Sequence, residues 1–223
     1  MAETMIKAGI LIEWIRLYMI GIIADSHGHV DNLNHAIMQL QKKACQFIIH
    51  LGDICDSAIL ETVDQCIHLI IKNKLIAIKG NNDHIIWTNH NMHPESVGIS
   101  KQAMRYIEDL PLIFHYNRAL FVHSLPNIHS LGLSAMIRTM GKVEAAHFFA
   151  QYPKHVLFRG HSHTPEIMYL KNNHIETNFI QTQNPFQMNQ HVSYIITCGA
   201  LTRGHYMTWH TNYNTITSFS IFN

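Results

Sequence analysis

Residues 20–29 read IGIIADSHGH, in which an apolar run over 20–24 ends abruptly in a polar turn that carries Asp25 and His27. A short apolar run bounded by such a turn is typical of a buried β-strand. Asp31 is a candidate N-cap for a helix that follows the turn directly. The apolar residues of that helix share one face at helical spacing: Leu33, Ala36, Ile37, Leu40 and Ala44. The stretch therefore predicts a βα unit with polar side chains at the end of its strand.

The same arrangement recurs four times along the chain, each time as an apolar run followed by a turn with Asp, Asn or His. The runs are 47–49 before HLGDICD (50–56), 75–78 before GNND (80–83), 119–122 before His123, and 156–158 before GHSHTP (160–165). Open α/β sheets place their ligands at the carboxyl ends of their strands. Five strands are therefore expected to deliver polar side chains to one region.

The remaining stretches give weaker patterns. Helices are predicted over 57–72, 101–109 and 135–149, with loops around them that are able to overhang the site. After residue 165 the pattern changes to short strands, interrupted by a polar loop. The strands are predicted over 166–170, 175–180, 191–198, 205–210 and 214–221, and the loop over 181–190. These late strands predict a second, more antiparallel sheet.

The composition favours a single globular domain. The chain has 223 residues, 47% of them hydrophobic and 14% charged, which is enough for one sizeable core. Lys7, Glu13 and Arg16 interrupt the apolar N-terminal stretch, so no membrane span is expected there. The first strong strand signal comes after this stretch. We therefore interpret residues 1–18 as an N-terminal extension and residues 19–223 as one domain.

The net charge and the cysteine content limit which binding partners and which cellular compartment are expected. Sixteen basic and fifteen acidic residues give a formal charge of +1, which provides no electrostatic basis for binding a long nucleic acid. A small phosphorylated substrate remains compatible with this charge, as does a homo-oligomer. The four cysteines show neither CxxC spacing nor a dense disulfide framework. This pattern favours a reducing compartment, the cytoplasm.

Nineteen histidines are the unusual feature of the composition. Neutral imidazoles suit zinc, manganese, iron and nickel, although most histidines in a chain lie on the surface or in satisfied core positions. Asp25 with His27, taken alone, more often caps the following helix than binds a metal. The pair His161 and His163 is a stronger signal, because two neighbouring imidazoles suit a shared cation.

Five motifs occur in order: D-x-H (25–27), G-D-x-x-D (52–56), G-N-x-D (80–83), an isolated histidine (123) and G-H-x-H (160–163). Together they resemble the calcineurin-like metallophosphoesterase superfamily. ADSHGHVDN (24–32), GNND and GHSHTP are similar to the small bacterial and archaeal phosphodiesterases, and residues 197–204 look like a diverged form of the family's late Asn-Pro-Gly-Ser strand end. The resemblance implies an α/β fold: a four-layer αββα sandwich of two mixed β-sheets flanked by helices, with metals at the strand C-terminal ends.

The resemblance also implies two divalent cations and their ligands. One would be bound by Asp25, His27, Asp53 and His163, and the other by Asp53, Asn81, His123 and His161. Such a mixed carboxylate and imidazole set is able to hold two ions ~3.5–4 Å apart. Manganese is the expected metal, with iron, zinc or nickel as alternatives. The implied activity is hydrolysis of a phosphodiester, or of a phosphomonoester, in a small substrate by a metal-bridging hydroxide.

Further residues near the motifs have implied roles. Asn82 stands where many relatives have a histidine that donates a proton to the leaving group, and an amide cannot act as a general acid. His29 or His84 would replace that histidine, the alternative being that both are ordinary loop histidines. Arg203 is a candidate phosphate contact or an ordinary surface arginine. The candidate catalytic residues are therefore Asn82, Asp56 and His29, and the candidate substrate contacts are Asn81 and Arg203.

Two other functions share this fold. The first is a non-catalytic scaffold for protein partners, which would have no physical need for seven metal-binding side chains at five strand ends. The second is a nuclease of the same superfamily, which would be expected to carry a basic groove or an added DNA-binding domain. Neither feature is visible in the sequence.

Overall fold

Two six-stranded β-sheets form the centre of the protein in the computed structural model, which describes residues 19–92 and 98–222. The strands are β1 (Met19–Ile23), β2 (Phe47–His50), β3 (Ile76–Ala77), β4 (Ile113–Tyr116), β5 (Ala119–Val122), β6 (Val156–Arg159), β7 (Glu166–Lys171), β8 (His174–Phe179), β9 (Phe186–Gln187), β10 (Tyr194–Thr197), β11 (His205–His210) and β12 (Thr215–Ser220). The first sheet has the order β3-β2-β1-β11-β12-β9, and the second has the order β4-β5-β6-β10-β7-β8. The predicted N-terminal extension, residues 1–18, lies outside the described residues.

Helices flank the two sheets. They are α1 (Val30–Lys42), α2 (Val63–Lys72), α3 (Asn81–Met92), α4 (Lys101–Asp109), α5 (Ile128–Leu131) and α6 (Lys142–Gln151). Short 3-10 turns span Leu60–Thr62, Gly132–Met136 and Leu201–Arg203. These layers confirm the predicted αββα sandwich. No helix within the two described ranges is long and apolar enough to span a membrane.

Three apolar clusters hold the layers together. Between the sheets, the rings of Phe121 and Phe158 stack with centroids 5.0 Å apart, and the Trp209 ring lies 5.0 Å from that of Phe158. Side chains alternate along β1, so that Ile22 joins this inter-sheet cluster while Ile23 packs beneath α1 and α2. A third cluster lies between the second sheet and α6. Strands β1 and β5 are apolar throughout because both of their faces are buried.

The strand directions bring the predicted polar turns together. Strands β1, β2 and β3 run parallel, as do β5, β6 and β10. Parallel neighbours present their carboxyl ends at the same edge of a sheet. The two edges meet where the backbone amide of His161 donates to Asp25 Oδ2 at 2.9 Å. The turns from both sheets therefore line one site.

The late strands do not form a separate sheet, so that prediction for residues 166–221 is wrong. Strands β7, β8 and β10 complete the second sheet, whereas β9, β11 and β12 complete the first. Strand β11 pairs antiparallel with β1, and β10 pairs parallel with β6. The unpaired backbone groups at both sheet edges accept an added strand equally well. A short strand's own pattern does not specify which edge it joins.

Two predicted helices differ from the structure in their limits. Residues 57–62 form turns, because Asp56 Oδ1 accepts a hydrogen bond from the amide of Ala58 at 2.8 Å, and α2 begins only after them. The helix predicted over 135–149 is replaced by a 3-10 turn and α6, whose N-terminus is capped by the carboxylate of Glu144. Helix α4 has the predicted limits. Helices α3 and α5 and strand β4 lie outside every predicted element, and β9 lies within the predicted loop over 181–190.

The start of α1 also differs from the prediction. His29 occupies the N-cap position, where no side chain makes a capping bond, and Asp31 lies in the first turn. A carboxylate there still interacts favourably with the helix dipole. Ala44 lies beyond the end of the helix, with a φ of 58°. The predicted apolar face is otherwise buried, since Leu33, Ala36, Ile37 and Leu40 are its buried residues.

Candidate metal centre

The turns after the strands hold their side chains on an unusual backbone. Five of the seven predicted metal ligands have a positive φ although none is glycine: Asp25 (53°), His27 (43°), Asp53 (52°), His161 (65°) and His163 (60°). This left-handed conformation costs a non-glycine residue ~1–3 kcal/mol and is concentrated at functional sites. The surrounding structure therefore holds these five residues in place, which indicates a function beyond turning the chain.

Asp25, His27, His163 and one oxygen of Asp53 form what we call the first cluster. His27 Nε2 lies 3.2 Å from His163 Nε2 and 3.7 Å from Asp53 Oδ2. His163 Nε2 lies 3.7 Å from Asp25 Oδ1. Asp25 is fully buried, whereas the two histidine side chains are partly exposed. The cluster is therefore reached from solvent on its histidine side.

Asp56 lies beside the nitrogen of His27 that faces away from the first cluster. Its Oδ2 is 3.4 Å from His27 Nδ1. The negative charge of this carboxylate favours the tautomer with the proton on Nδ1. In that tautomer His27 directs the lone pair of Nε2 at the cluster, as a metal ligand must.

Asn81, His123 and His161 form the second cluster. His123 Nδ1 lies 2.8 Å from the carbonyl oxygen of Leu51, and His161 Nε2 lies 3.2 Å from that of Ile137. Each of these nitrogens carries the proton, because a carbonyl oxygen can only accept. The lone pairs of His123 Nε2 and His161 Nδ1 then face each other at 3.2 Å, and Asn81 Oδ1 lies 3.0 Å from His123 Nε2. Three acceptors directed at one another are satisfied together by a cation.

Asp53 lies between the clusters with one carboxylate oxygen toward each. Oδ2 is 3.7 Å from His27 Nε2, and Oδ1 is 3.6 Å from His123 Nε2. Asn82 holds this carboxylate, since its backbone amide donates to Oδ1 and its side-chain amide to Oδ2, both at 2.8 Å. The hydroxyl of Ser57 in turn donates to Asn82 Oδ1 at 2.9 Å. Asn82 therefore contacts the shared carboxylate rather than standing free.

Burial determines the charges of the two clusters. Loss of hydration raises the pKa of Asp25 well above its ordinary value, and the negative charge of Asp53 adds to the rise. Burial also lowers the pKa of His161 to about 4 and lowers the pKa of His123. These histidines are therefore neutral at pH 7, the form that binds metals. A divalent cation would offset the repulsion between Asp25 and Asp53, so the residues present fit such an ion.

Two glycines let the turns approach each other this closely. Gly52 has a φ of 87°, which favours glycine. A Cβ atom at Gly80 would lie 2.1 Å from the backbone nitrogen of Asp53. A side chain at either position would therefore push the Asp53 turn away from the second cluster.

A family model for the calcineurin-like phosphoesterase superfamily domain matches residues 19–185. The match covers more than half of the chain and includes both clusters. The chain belongs to this superfamily. The resemblance predicted from the five sequence motifs is thereby confirmed.

Solved structures share the fold of this calcineurin-like phosphoesterase. A metallophosphoesterase from Sphaerobacter thermophilus is 20% identical, with a TM-score of 0.70 over 92% of this chain and 88% of that chain. A hypothetical protein from Pyrococcus horikoshii is 10% identical, with a TM-score of 0.64 over 91% and 87%. A Thermus thermophilus protein is 14% identical, with a TM-score of 0.50 over 91% and 98%. A comparison with curated protein sequences finds no significant match.

Arg203, His29 and His84 are the other residues predicted to bind substrate or donate a proton. Arg203 is exposed in the 3-10 turn after β10. The turn lies beside the first cluster, because the backbone amide of Thr202 donates to the carbonyl oxygen of Asp25 at 3.3 Å. Burial lowers the pKa of His163, and the charges of His27 and Arg203 lower it further. His29 is exposed at the start of α1, and His84 lies in α3 with its Nε2 3.5 Å from Thr88 Oγ1. Within the described residues, neither His29 nor His84 forms a hydrogen bond to either cluster.

Two buried side chains for which the sequence predicts no role support the turns. His50 Nε2 lies 2.8 Å from the hydroxyl of Ser26, in the turn that carries Asp25 and His27. The carboxylate of Asp83 accepts hydrogen bonds from the amides of Gly80 at 2.9 Å and Cys55 at 3.1 Å. Asp83 stands in the G-N-x-D motif, so the sequence contained a signal for a role at the site. His50 only follows an apolar run, and this pattern does not indicate such a role.

Substitution of Asp56 tests the orientation of His27. Asp56→Ala is expected to weaken cation binding at the first cluster about 10–100-fold, because outer carboxylates of this kind fix a ligating imidazole and their loss typically has this effect. Calorimetric titration with Mn²⁺ measures the change. The second cluster serves as an internal control, since its affinity is expected to stay close to that of the wild type. Unchanged binding at both clusters would show that Asp56 does not orient His27.

Proposed function

We propose that this phosphoesterase hydrolyses phosphodiester bonds in a small substrate, with phosphomonoesters as a second substrate class, in a reaction that depends on two divalent cations. The observation that carries the proposal is the position of Asp53 between two sets of converging lone pairs. One cation would be held by Asp25, His27, Asp53 and His163, and the other by Asp53, Asn81, His123 and His161.

When bound, two divalent cations lower the pKa of water and neutralise charge on phosphoryl oxygens. The mixed nitrogen and oxygen ligands favour manganese, with iron, zinc and nickel as alternatives. The chain's own contribution is geometric, since Asp56 orients His27 and Asn82 holds Asp53. Arg203, exposed beside the first cluster, supplies a charge that suits a phosphate oxygen.

Four thiol and hydroxyl groups near the clusters are unsuited to act as a nucleophile. Cys55 and Cys198 are buried, and burial raises the pKa of both thiols, so both are protonated at neutral pH. The Ser26 hydroxyl is buried and donates to the carbonyl oxygen of Ile54 at 3.0 Å. The Ser124 hydroxyl is likewise engaged with the carbonyl of Arg138. These four groups therefore do not compete with water, which is the nucleophile in our proposal.

The alternatives are a non-catalytic scaffold and a nuclease of the same superfamily. A scaffold has no need for neutral histidines held on a strained backbone around two buried carboxylates. The formal charge of +1 does not favour a long nucleic acid as substrate. All four cysteines are free, which fits our proposal of a cytoplasmic enzyme without a membrane partner.

The proposal is tested by adding Mn²⁺, Fe²⁺, Zn²⁺ or Ni²⁺ to chelator-treated protein with bis-p-nitrophenyl phosphate or p-nitrophenyl phosphate as substrate. Hydrolysis is expected to require a cation and to be faster for the diester. The Tm, measured in parallel, should rise on metal addition, because a ligand at 100 times its Kd stabilises the folded state by about 2.7 kcal/mol. A raised Tm without hydrolysis would favour the scaffold. No change in either measurement would contradict a metal-dependent function.

A further inference from the structure

Arg159, the last residue of β6, is the largest fully buried side chain in the described part of the protein. It shares a strand face with Leu157, which packs in the cluster between the second sheet and α6. The guanidinium therefore lies on the outer face of that sheet and not in solvent. No carboxylate of a described residue lies within 4.0 Å of it. The charges of Glu166 and Asp25 act on it from farther away and offset part of the cost of its burial.

The guanidinium makes three hydrogen bonds to the ends of the two neighbouring strands. Nε donates to the carbonyl oxygen of Ser124 at 3.1 Å, and Nη2 donates to its hydroxyl at 3.2 Å. Nη1 donates to Thr197 Oγ1 at 2.9 Å. A buried cation without an ionic partner is costly, and apolar residues of similar volume often give a more stable core. Stability alone therefore does not explain an arginine at this position. Its planar guanidinium does, because it holds three N–H donors in a fixed arrangement that binds both neighbouring strand ends.

The contacts of Ser124 lead to the second cluster. Its hydroxyl donates to the carbonyl oxygen of Arg138. The adjacent carbonyl, that of Ile137, accepts the hydrogen bond from His161 Nε2. Ser124 directly follows the other histidine of the cluster, and Arg159 precedes His161 by two positions. None of the three guanidinium bonds reaches a residue of the first cluster. The positive charge of Arg159 does lower the pKa of Asp25 in that cluster, an effect that Arg159→Lys retains.

We propose that Arg159 is a positioning residue for the second cluster. The guanidinium holds Ser124 in place, and Ser124 in turn holds the backbone of residues 137–138. This backbone binds His161 Nε2 and so keeps Nδ1 of the ring directed at His123. Loss of the guanidinium would let the ring turn and so weaken one cation site of the two. This last consequence rests on the proposed metal-dependent function, but the positioning itself applies equally to the metal-free protein.

The tautomer of His161 in the metal-free protein tests the positioning directly. NMR of the ring nitrogens at neutral pH is expected to show the proton on Nε2 in the wild type and a mixture of tautomers in Arg159→Met. Arg159→Lys should lie between them, because it keeps the charge without the guanidinium. Asp56→Ala is the matched control, which should change His27 and leave His161 unaltered. An unchanged His161 tautomer in folded Arg159→Met would overturn the proposal.

Calorimetric titration with Mn²⁺ provides the second measurement. Arg159→Met is expected to weaken one of two binding events about 10–100-fold and to spare the other, which Asp56→Ala weakens instead. Equal weakening of both events, or no change, would contradict the proposal. If Arg159→Met does not fold, Thr197→Val removes one bond to the guanidinium and should give a smaller loss at the same event. If the wild type binds no cation, the proposed function is refuted. The NMR measurement of the His161 tautomer still tests the role of Arg159 in that case, because it uses the metal-free protein.

Discussion

Asp53→Asn is expected to lower kcat/KM for bis-p-nitrophenyl phosphate about 10³-fold, since losing several kcal/mol of metal-derived stabilisation reduces the rate by this factor. The reason is that one carboxylate serves both clusters, so a single substitution removes the negative charge that each cation would share. An amide at this position has a further defect. Both oxygens of Asp53 accept hydrogen bonds from Asn82, so either orientation of the new amide sets a donor against a donor.

Elemental analysis and steady-state kinetics on the same preparation measure the two consequences together. Asp31→Asn is the matched control, because it makes the same chemical change at an exposed position in the first turn of α1. It is expected to keep the metal content and nearly all of the activity. If Asp53→Asn retained two cations per chain and near-normal turnover, the shared-carboxylate arrangement would be wrong.

The rate of hydrolysis is expected to depend steeply on the leaving group, with alkyl esters disadvantaged about 10²–10⁴-fold, the usual contribution of general-acid assistance. The expectation follows from Asn82, whose amide cannot release a proton to the departing oxygen. One of its two side-chain N–H donors is also occupied, because it donates to Asp53 Oδ2 at 2.8 Å. A series of aryl and alkyl phosphodiesters, plotted as log kcat/KM against leaving-group pKa, gives the slope.

Asn82→His should flatten this slope by restoring an acid, although it also removes a hydrogen bond from Asp53 and is expected to weaken cation binding. The structure gives Asp56 a different partner, His27 Nδ1 at 3.4 Å, so Asp56 is not free to orient the new ring. A shallow slope in the wild type would mean that another group already donates the proton. His29→Ala and His84→Ala, compared separately, would then identify that group.

Much of the fold and of the candidate site was predictable because the signals are local. An apolar run that ends in Asp25 and His27 is visible without any knowledge of the rest of the chain, and so are the runs before Asp53, His123 and His161. The order of these motifs along the chain predicted the family and the αββα layers, and both predictions are confirmed. The structure brings these residues together, while their role as metal ligands stays a prediction.

Most of the strands, the polar turns at their ends and the family could be predicted from the amino-acid sequence, because each depends on neighbouring residues. Three features could not be predicted in this way: the sheet that each late strand joins, the nitrogen of His123 and His161 that carries the proton, and the burial of Arg159. These features depend on contacts between segments far apart in the chain, such as Ile137 with His161 and Ser124 with Arg159. A charged residue at a strand end reads as exposed until the segment that covers it is known, since burial is a property of the packed layers and not of the strand.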